Sequence, residues 1–516
     1  MGGIAGLESV FSSSSPAAVA PTDETTGSTR PQPVPLADVP KQAVVIVHGM
    51  GEQRPMDTLR GFVRAVWETD PAMSRNGLPN PASTWSKPDD RTGSLELRRI
   101  TTRESTAGGG WPDRVRTDFY ELYWADLTAG STWAQFVTWV RYLLFRRVTR
   151  VPTDVHTAWL VLWALSLLIA AMAILQLMPE SAWRTLLEHE GFEKWRWLLD
   201  WRWLILALTA AASALLHKLA TASFGRVVRY TRADPDNIAA RAAVRERGLK
   251  LLRAIHEGDT YSRVILVSHS LGTILAHDLL SYFWAERGKA RTIPEGGDEF
   301  AALCAVESAA AALDEAGAGP DEPAAYRAAQ TRLRRLLAAR PVSEEEPARR
   351  WLISDFVTFG SPLTHAEFLI ASSEADLEER KRAREFPSAP PYRESVDPAV
   401  FDAAIAAKIV PVGSDRGKTR LMAFPDPKSP KHWILHHAAP FAVVRWTNVY
   451  DPSSAVIFGD LIGGPLAPSL GRAIVDVDLS ALRGRSWRFS HTRYWDPGAA
   501  PAQLEAVRSA VNLLDH

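Results

Sequence analysis

Uninterrupted apolar runs that end in short turns indicate the strands of a buried sheet. KQAVVIVHGMGEQRP (41–55) contains five successive apolar residues, Ala43 to Val47, before a glycine-containing turn. RVILVSHS (263–270) and WLISDFVTFGSPL (351–363) follow the same plan. Strands buried on both faces of a parallel sheet show such continuous runs rather than an alternating pattern. Further strands are predicted at 94–102, 114–127, 440–451 and 472–479.

Segments with helical spacing separate these strands. Apolar residues recur at the spacing of one helix face in 55–70 and 236–258, and a helix is predicted directly after residue 270. Strands that alternate with helices predict an α/β fold with a mostly parallel sheet flanked by helices. Two segments interrupt this order. An Ala-, Glu- and Arg-rich helical insert is expected at 286–350, and a proline- and charge-rich segment at 372–440 is expected to act as a cap over the active face.

The composition of the first 40 residues differs from that of the rest of the chain. Residues 1–40 are rich in Ser, Thr, Pro and Ala and have neither a basic start nor a long apolar stretch. This pattern predicts a disordered arm rather than a secretory signal. The α/β domain is then expected to consist of two parts, 41–135 and 236–516.

A long apolar block lies between these two parts. AWLVLWALSLLIAAMAILQLM (158–178) has 21 residues and no charge, close to the roughly 20 residues that span a bilayer. A second stretch, 203–222, contains Lys218 near its end. Together they predict an inserted hydrophobic two-helix transmembrane hairpin at 136–235. The alternatives are a pair of buried or amphipathic helices that forms a lid or dimer face, and two helices that lie in one leaflet.

Charged residues are balanced over the whole chain but not around the apolar block. Eight basic residues flank the predicted hairpin on its outside and four lie between its helices, which favours both chain ends in the cytoplasm. Over the chain, 59 Lys and Arg balance 59 Asp and Glu, so no bulk charge indicates a nucleic-acid partner. The single cysteine, Cys304, excludes an intrachain disulfide framework.

The junction after the strand at 263–268 carries the strongest chemical signal. The order of strand, Ser268-His269-Ser270-Leu271-Gly272 and helix matches a nucleophile elbow, whose sharp turn exposes a serine hydroxyl. Ser270 is therefore the candidate nucleophile, and Gly272 fills the position two residues later, where small residues relieve crowding. Ser268 stands where glycine is usual. His269, the variable middle residue, is expected to be structural.

A serine nucleophile needs an imidazole base that a carboxylate orients. In this arrangement the acid and the base follow the serine in the chain, in that order. His491 lies in a polar loop after the last predicted strand, where a base would reach back over the sheet. Two carboxylates compete for the orienting role: Asp451 directly follows a predicted strand, and Asp460 lies in a glycine-rich turn, GDLIGG. The residues alone leave both open.

Acyl transfer also requires hydrogen-bond donors for the oxyanion. The backbone N–H after the nucleophile belongs to Leu271. A second donor is expected from the loop after the first strand, His48-Gly49-Met50-Gly51, as the backbone N–H of Met50. His48 is expected to fix this loop rather than to act in catalysis.

The motifs VVIVHGMGEQ, VSHSLGT, FVTFGSPL, GDLIGGPL and HTRYW together resemble the α/β-hydrolase superfamily, in particular its bacterial lipase- and esterase-like members. The resemblance covers roughly 40–135 and 236–516. It implies a triad of Ser270, Asp460 and His491, because the GDLIGGPL turn is similar to the acid-bearing turn of the family. It implies no cofactor, and the sequence contains no HExxH or paired-cysteine motif that would hold a metal.

These features predict a membrane-anchored serine hydrolase that cleaves carboxylic esters through an acyl-enzyme. The expected partners are a lipid or acyl-ester substrate and the bilayer, and the expected location is the bacterial cytoplasmic membrane with the hydrolase domain facing the cytoplasm. A thioesterase or amidase with the same triad and a non-catalytic regulatory protein that keeps the scaffold remain as alternatives. The sequence leaves the oligomeric state open.

Overall fold

A computed structural model describes most of the chain outside the apolar block. The described residues are 41–49, 54–73, 80–93, 96–103, 115–128, 235–314, 319, 321–342, 347–452, 459–460, 462–482, 490–496 and 498–515, with isolated positions between 145 and 185. The arm predicted at 1–40 lies outside them, and so does most of the hairpin predicted at 136–235. None of the described helices is long and apolar enough to cross a bilayer. The hairpin stays a prediction.

Eight strands form one mixed sheet at the centre of the described chain. They are β1 Lys41–Val47, β2 Thr84–Pro88, β3 Arg98–Thr102, β4 Arg116–Leu122, β5 Arg263–His269, β6 Ile353–Phe359, β7 Arg445–Tyr450 and β8 Val475–Asp478. Their order is β8-β7-β6-β5-β1-β4-β3-β2. The six strands from β8 to β4 are parallel, and β3 and β2 complete the sheet as antiparallel neighbours. The carboxyl ends of β1, β5, β6 and β7 therefore lie at one edge.

Helices flank this sheet. The longer ones are α1 Asp57–Val63, α2 Pro235–His256, α3 Gly272–Glu286, α4 Gly297–Asp314, α5 Asp321–Ala338, α6 Glu374–Arg382, α7 Pro398–Ala406 and α8 Pro501–Val511. A π-helical turn, Arg64–Glu68, continues α1. Four-residue helices occupy Gly288–Arg291, Ala366–Leu369 and Ala467–Leu470, and 3-10 turns occupy Pro71–Met73, Pro81–Ser83, Asp90–Thr92, Ala125–Thr128, Pro347–Arg349, Pro362–His365 and Pro440–Ala442.

Both faces of the sheet are buried, as its apolar strands require. Successive strand residues point to opposite faces. Val44 and Ile46 of β1 belong to a hydrophobic cluster with α1 and α8, whereas Val45 and Val47 belong to a second cluster with α2, α3, α4 and α5. The prediction of a mostly parallel sheet flanked by helices is confirmed. The helical insert at 286–350 packs one face of α4 and of α5 into the second cluster.

Small sheets accompany the main one. Thr292–Pro294, Ala423–Asp426 and Ser429–Leu435 form a three-stranded antiparallel sheet, and Glu394–Ser395 pairs with Arg420–Leu421. Most of these strands belong to the segment at 372–440, which contains α6 and α7 as well. The sequence pattern predicted none of them, because short, partly exposed strands have no continuous apolar run. The role of this segment as a cap stays a prediction.

Candidate active site

The turn between β5 and α3 holds Ser270 in a strained backbone conformation. Its φ is +53°, in the left-handed region that non-glycine residues seldom adopt. The Ser270 N–H donates to the Phe359 carbonyl at 2.9 Å, which ties the turn to the end of β6. Strain of this kind persists only where the surrounding structure holds it, and it concentrates at functional sites. The sharp turn predicted from Ser-His-Ser-Leu-Gly is present.

Glycines permit the close packing of this turn against the end of β1. A Cβ on Gly272 would lie 2.4 Å from the His48 carbonyl oxygen and 2.5 Å from that of Val47. A Cβ on Gly49 would lie 2.8 Å from the Ser270 Cβ. The first turn of α3 therefore touches the backbone of the loop after β1. Ser268, where glycine was expected, is accommodated because its hydroxyl donates to the Val357 carbonyl at 3.3 Å.

The structure brings Ser270, His491 and Asp460 into one hydrogen-bonded chain. Nε2 of His491 lies 2.8 Å from Oγ of Ser270, and Nδ1 of His491 lies 2.9 Å from Oδ2 of Asp460. An ionised carboxylate only accepts hydrogen bonds, so Nδ1 carries the proton in this contact and leaves Nε2 of the neutral ring free to accept the serine hydroxyl. All three side chains are buried.

Donors around Asp460 favour its ionised form. Besides His491, the Tyr494 hydroxyl donates to Asp460 Oδ2 at 2.5 Å, and the Ile462 N–H donates to Oδ1 at 2.8 Å. Burial raises the pKa of Asp460, but the hydrogen bonds from His491 and Tyr494 outweigh it and lower that pKa below its ordinary value. A buried carboxylate with a lowered pKa stays ionised and can stabilise a positively charged imidazolium beside it.

Asp451, the other carboxylate considered from the sequence, occupies a different place. It directly follows β7 and is buried, and its backbone carbonyl accepts the Asp460 N–H at 2.8 Å. Asp451 thereby helps to position the backbone of Asp460. The carboxylate that contacts the His491 ring is Asp460.

Two glycines leave room for the Asp460 carboxylate. Gly360, directly after β6, has a φ of +53°, and a Cβ there would lie 2.6 Å from Asp460 Oδ2 and 2.8 Å from Tyr494 Cε2. A Cβ on Gly463 would lie 2.8 Å from the same carboxylate oxygen. One glycine from each of the motifs FVTFGSPL and GDLIGGPL therefore packs against the carboxylate of Asp460.

Two further side chains contribute to the site, and only one of them was given a role from the sequence. Tyr494 belongs to the quoted motif HTRYW but was given no role, and its contact with Asp460 arises from a turn only three residues beyond His491. His269 was expected to be structural, and its Nε2–H donates to the His491 carbonyl at 2.6 Å. Burial lowers the pKa of His269 to about 3, which keeps the ring neutral beside the His491 ring.

The two predicted oxyanion donors have different outcomes. Leu271 lies at the start of α3, and its N–H donates to no residue in the described part of the chain. It is therefore available to an oxygen bound near Ser270. Met50 lies outside the described residues. His48 fixes the adjoining loop as expected: its Nδ1–H donates to the Gly49 carbonyl at 2.8 Å, and its Nε2 accepts the Trp124 N–H at 3.2 Å.

No family model, curated protein or solved structure matches the chain. Within the described ranges, no group of three or more His, Cys, Asp or Glu side chains is arranged to hold a metal ion. The function is therefore inferred from the geometry around Ser270.

Proposed function

We propose that the chain is a serine hydrolase that cleaves carboxylic esters through an acyl-enzyme. The observation that carries this proposal is the continuous contact from Ser270 Oγ through the two nitrogens of His491 to Asp460, at 2.8 and 2.9 Å. Both distances lie within the range needed for proton transfer between a nucleophile and its base. The strained backbone of Ser270 and the lowered pKa of Asp460 support the same assignment.

In the first half of the reaction, Ser270 Oγ attacks the acyl carbon while its proton passes to Nε2 of His491. The imidazolium that forms is stabilised by Asp460, whose carboxylate stays ionised. The negative charge that develops on the carbonyl oxygen is met by the Leu271 N–H. The Met50 N–H is the proposed second donor. Each such donor contributes about 3 kcal/mol of transition-state stabilisation.

Collapse of this tetrahedral intermediate breaks the ester bond. His491 gives its proton to the departing alkoxide, which leaves as the alcohol, and the acyl group remains on Ser270. Water then loses a proton to His491 and attacks the acyl-enzyme. The second intermediate expels Ser270 Oγ, which recovers the proton from His491 as the carboxylic acid product leaves.

The α/β-hydrolase fold is part of the proposal. The order of Ser270, Asp460 and His491 along the chain is the order of nucleophile, acid and base in that fold. The nucleophile follows a central strand of the sheet, and the acid follows β7, two strands away in the sheet order. These positions, together with the glycine-containing turn after β1, support the assignment.

The proposed location rests on the sequence. The uncharged run at 158–178 favours a membrane anchor, and the excess of basic residues outside the pair favours a cytoplasmic hydrolase domain on a bacterial membrane. The proposed substrates are therefore acyl esters of lipids. Deletion of 155–225 is expected to release the protein from the membrane fraction. Continued sedimentation of the deleted protein with membranes would contradict the anchor.

A substrate panel tests the proposed chemistry. Esters of p-nitrophenol with two-, four- and eight-carbon acyl groups would be compared with an acyl-CoA thioester and a p-nitroanilide. We expect ester hydrolysis that is lost in Ser270→Ala and kept in the matched control Ser268→Ala, two residues earlier. Faster cleavage of the thioester or the anilide would reassign the substrate class. Absence of turnover with every substrate would favour a non-catalytic scaffold.

A further inference from the structure

A group of arginines occupies the sheet edge opposite the candidate active site, where β5, β6 and β7 begin. Arg263 is the first residue of β5, Arg445 is the first residue of β7, and Asp355 of β6 pairs with Arg445 across the sheet. The arginine cluster is defined here as five arginines with two carboxylates: Arg263, Arg327, Arg334, Arg335, Arg445, Asp355 and Asp515.

Three of these arginines already donate hydrogen bonds to the two carboxylates. Arg445 Nε and Nη2 donate to Asp355 at 2.7 and 2.9 Å, and Arg263 Nη2 donates to Asp355 Oδ2 at 2.6 Å. Asp515 accepts from Arg445 at 2.7 Å and from Arg335 at 2.8 Å. Such bidentate and shared pairs satisfy most of the carboxylate lone pairs.

The other two arginines have no hydrogen-bonded carboxylate among the described residues. Arg327 donates to two neutral acceptors, the Trp446 carbonyl at 2.9 Å and the Thr447 hydroxyl at 3.1 Å. The side chain of Arg334 is only 2% exposed. Its Nη2 lies 3.7 Å from Asp515 Oδ2 and has no hydrogen-bond acceptor among the described residues. Burial lowers the pKa of Arg327 and of Arg334 to about 10, despite the nearby carboxylates.

The described part of the cluster thus holds five positive charges against two negative ones. Charges removed from water are costly unless opposite charges compensate them. An anion bound at this edge would supply the missing negative charge. The excess of positive charge at this edge favours binding of an anion.

A groove beside the cluster provides space for such an anion. Its volume is about 960 Å³, and Arg327, Arg332, Arg335 and Arg445 line it together with Ser509 and the carboxylates Asp355 and Asp515. Arg327 and Arg335 are separated by twice the four-residue spacing that places side chains on the same face of a helix, so both lie on one face of α5. Volumes of this size accommodate small-molecule ligands.

We propose that this groove binds a multiply charged, phosphate-bearing anion. The planar fork of a guanidinium group matches phosphate oxygens in pairs, and several arginines around one space are typical of phosphate recognition. The groove lies at the amino ends of the strands and Ser270 at their carboxyl ends, so this binding is independent of the hydrolase chemistry. The phosphate belongs either to a free phosphorylated compound or to a lipid headgroup.

Titration calorimetry on the full chain tests the proposal with two probes. Inorganic pyrophosphate represents a free phosphate anion, and glycerophosphoglycerol represents a phosphodiester headgroup. Arg332 and Arg335, which line the groove and are partly exposed, would be replaced together, as R332Q/R335Q, to remove two of its positive charges. Arg332 is 58% exposed, and its matched control is R382Q on α6, where the arginine is 57% exposed. Melting temperatures without probe check that each variant is folded.

We expect at least one probe to bind with a Kd that rises about tenfold or more in R332Q/R335Q, the loss expected for a charge-assisted contact, and stays unchanged in R382Q. Tighter binding of pyrophosphate assigns a free anion, and tighter binding of glycerophosphoglycerol assigns a headgroup. The proposal is wrong if neither probe binds, or if the folded double variant binds as tightly as the unmodified chain.

Discussion

The Tyr494 hydroxyl and the His491 ring donate to the same oxygen of Asp460, at 2.5 and 2.9 Å. Asp460, the acid of the proposed triad, is therefore positioned by the Tyr494 phenol as well as by the His491 ring that it orients. Tyr494 is buried, so water cannot replace its hydroxyl without rearrangement of the site.

Tyr494→Phe is expected to lower kcat about 10- to 100-fold with little change in KM, because a hydrogen bond to a charged group contributes about 1.5–3 kcal/mol. Loss of this donor raises the pKa of Asp460 toward its ordinary value. The matched control is Tyr261→Phe, which removes a 2.6 Å hydrogen bond to the buried Asp118 far from the site. Equal effects of the two variants on kcat would contradict a positioning role for Tyr494.

Asp460→Asn and Asp451→Asn separate the two carboxylates that follow β7. Asp460→Asn should reduce kcat by about 10³- to 10⁴-fold, since the amide cannot stabilise the imidazolium and favours the wrong ring tautomer. The contact of Asp451 with Asp460 is a backbone hydrogen bond, which the substitution keeps, so we expect Asp451→Asn to cost far less. Steady-state ester hydrolysis measures both, and the reverse ranking would reassign the acid.

Gly360→Ala is expected to lower kcat more than 100-fold, because its Cβ would lie within 3 Å of the Asp460 and Tyr494 side chains. Gly93→Ala is the control. Gly93 also has a positive φ, +68°, but nothing lies within 4 Å of its added Cβ. Both variants incur a backbone strain of about 1–2 kcal/mol, visible in urea unfolding, whereas only Gly360→Ala should lose activity. Normal activity of Gly360→Ala would show that the acid does not need this space.

The central strands of the sheet were predictable because burial on both faces requires continuous apolar runs. β1, β5 and β6 occur where those runs occur. The strand predicted at 94–102 is shorter, β3 at Arg98–Thr102, and β2 had no signal because TWSKP is nowhere fully buried and contains no apolar run.

Within the candidate site, the residues alone left Asp451 and Asp460 open as the acid, and only the resemblance favoured Asp460. Both follow β7, and the choice depends on which side chain turns toward His491. Packing around Gly360, which is about 100 residues earlier in the chain, influences that direction. The arginine cluster was likewise hidden, since its members come from positions between 263 and 515 and meet only when the parallel strands align.

Glu121→Gln should make the chain more stable at alkaline pH. Burial raises the pKa of Glu121 to about 7, although its Oε2 accepts the Met56 N–H at 2.7 Å. Between the unfolded pKa, near 4.5, and 7, the folded chain binds more protons than the unfolded chain, so the free energy of unfolding falls as pH rises through this window. Glutamine keeps the acceptor without the charge and should gain about 1–3 kcal/mol at pH 8.

Urea unfolding at pH 5 and pH 8 measures this gain, with Glu505→Gln, an exposed glutamate on α8, as control. At pH 5 the Glu121 variant should differ little from the unmodified chain. Glu307, whose pKa burial also raises to about 7, would still contribute its own pH dependence. Identical pH dependence of the Glu121 variant and the unmodified chain would contradict the assignment.

Mass spectrometry after treatment with a fluorophosphonate shows whether Ser270 is an activated nucleophile. We expect one adduct per folded chain, located on Ser270 by peptide mapping, formed slowly in Asp460→Asn and absent in Ser270→Ala. An unlabelled folded chain, or an adduct on another residue that persists in Ser270→Ala, would contradict it.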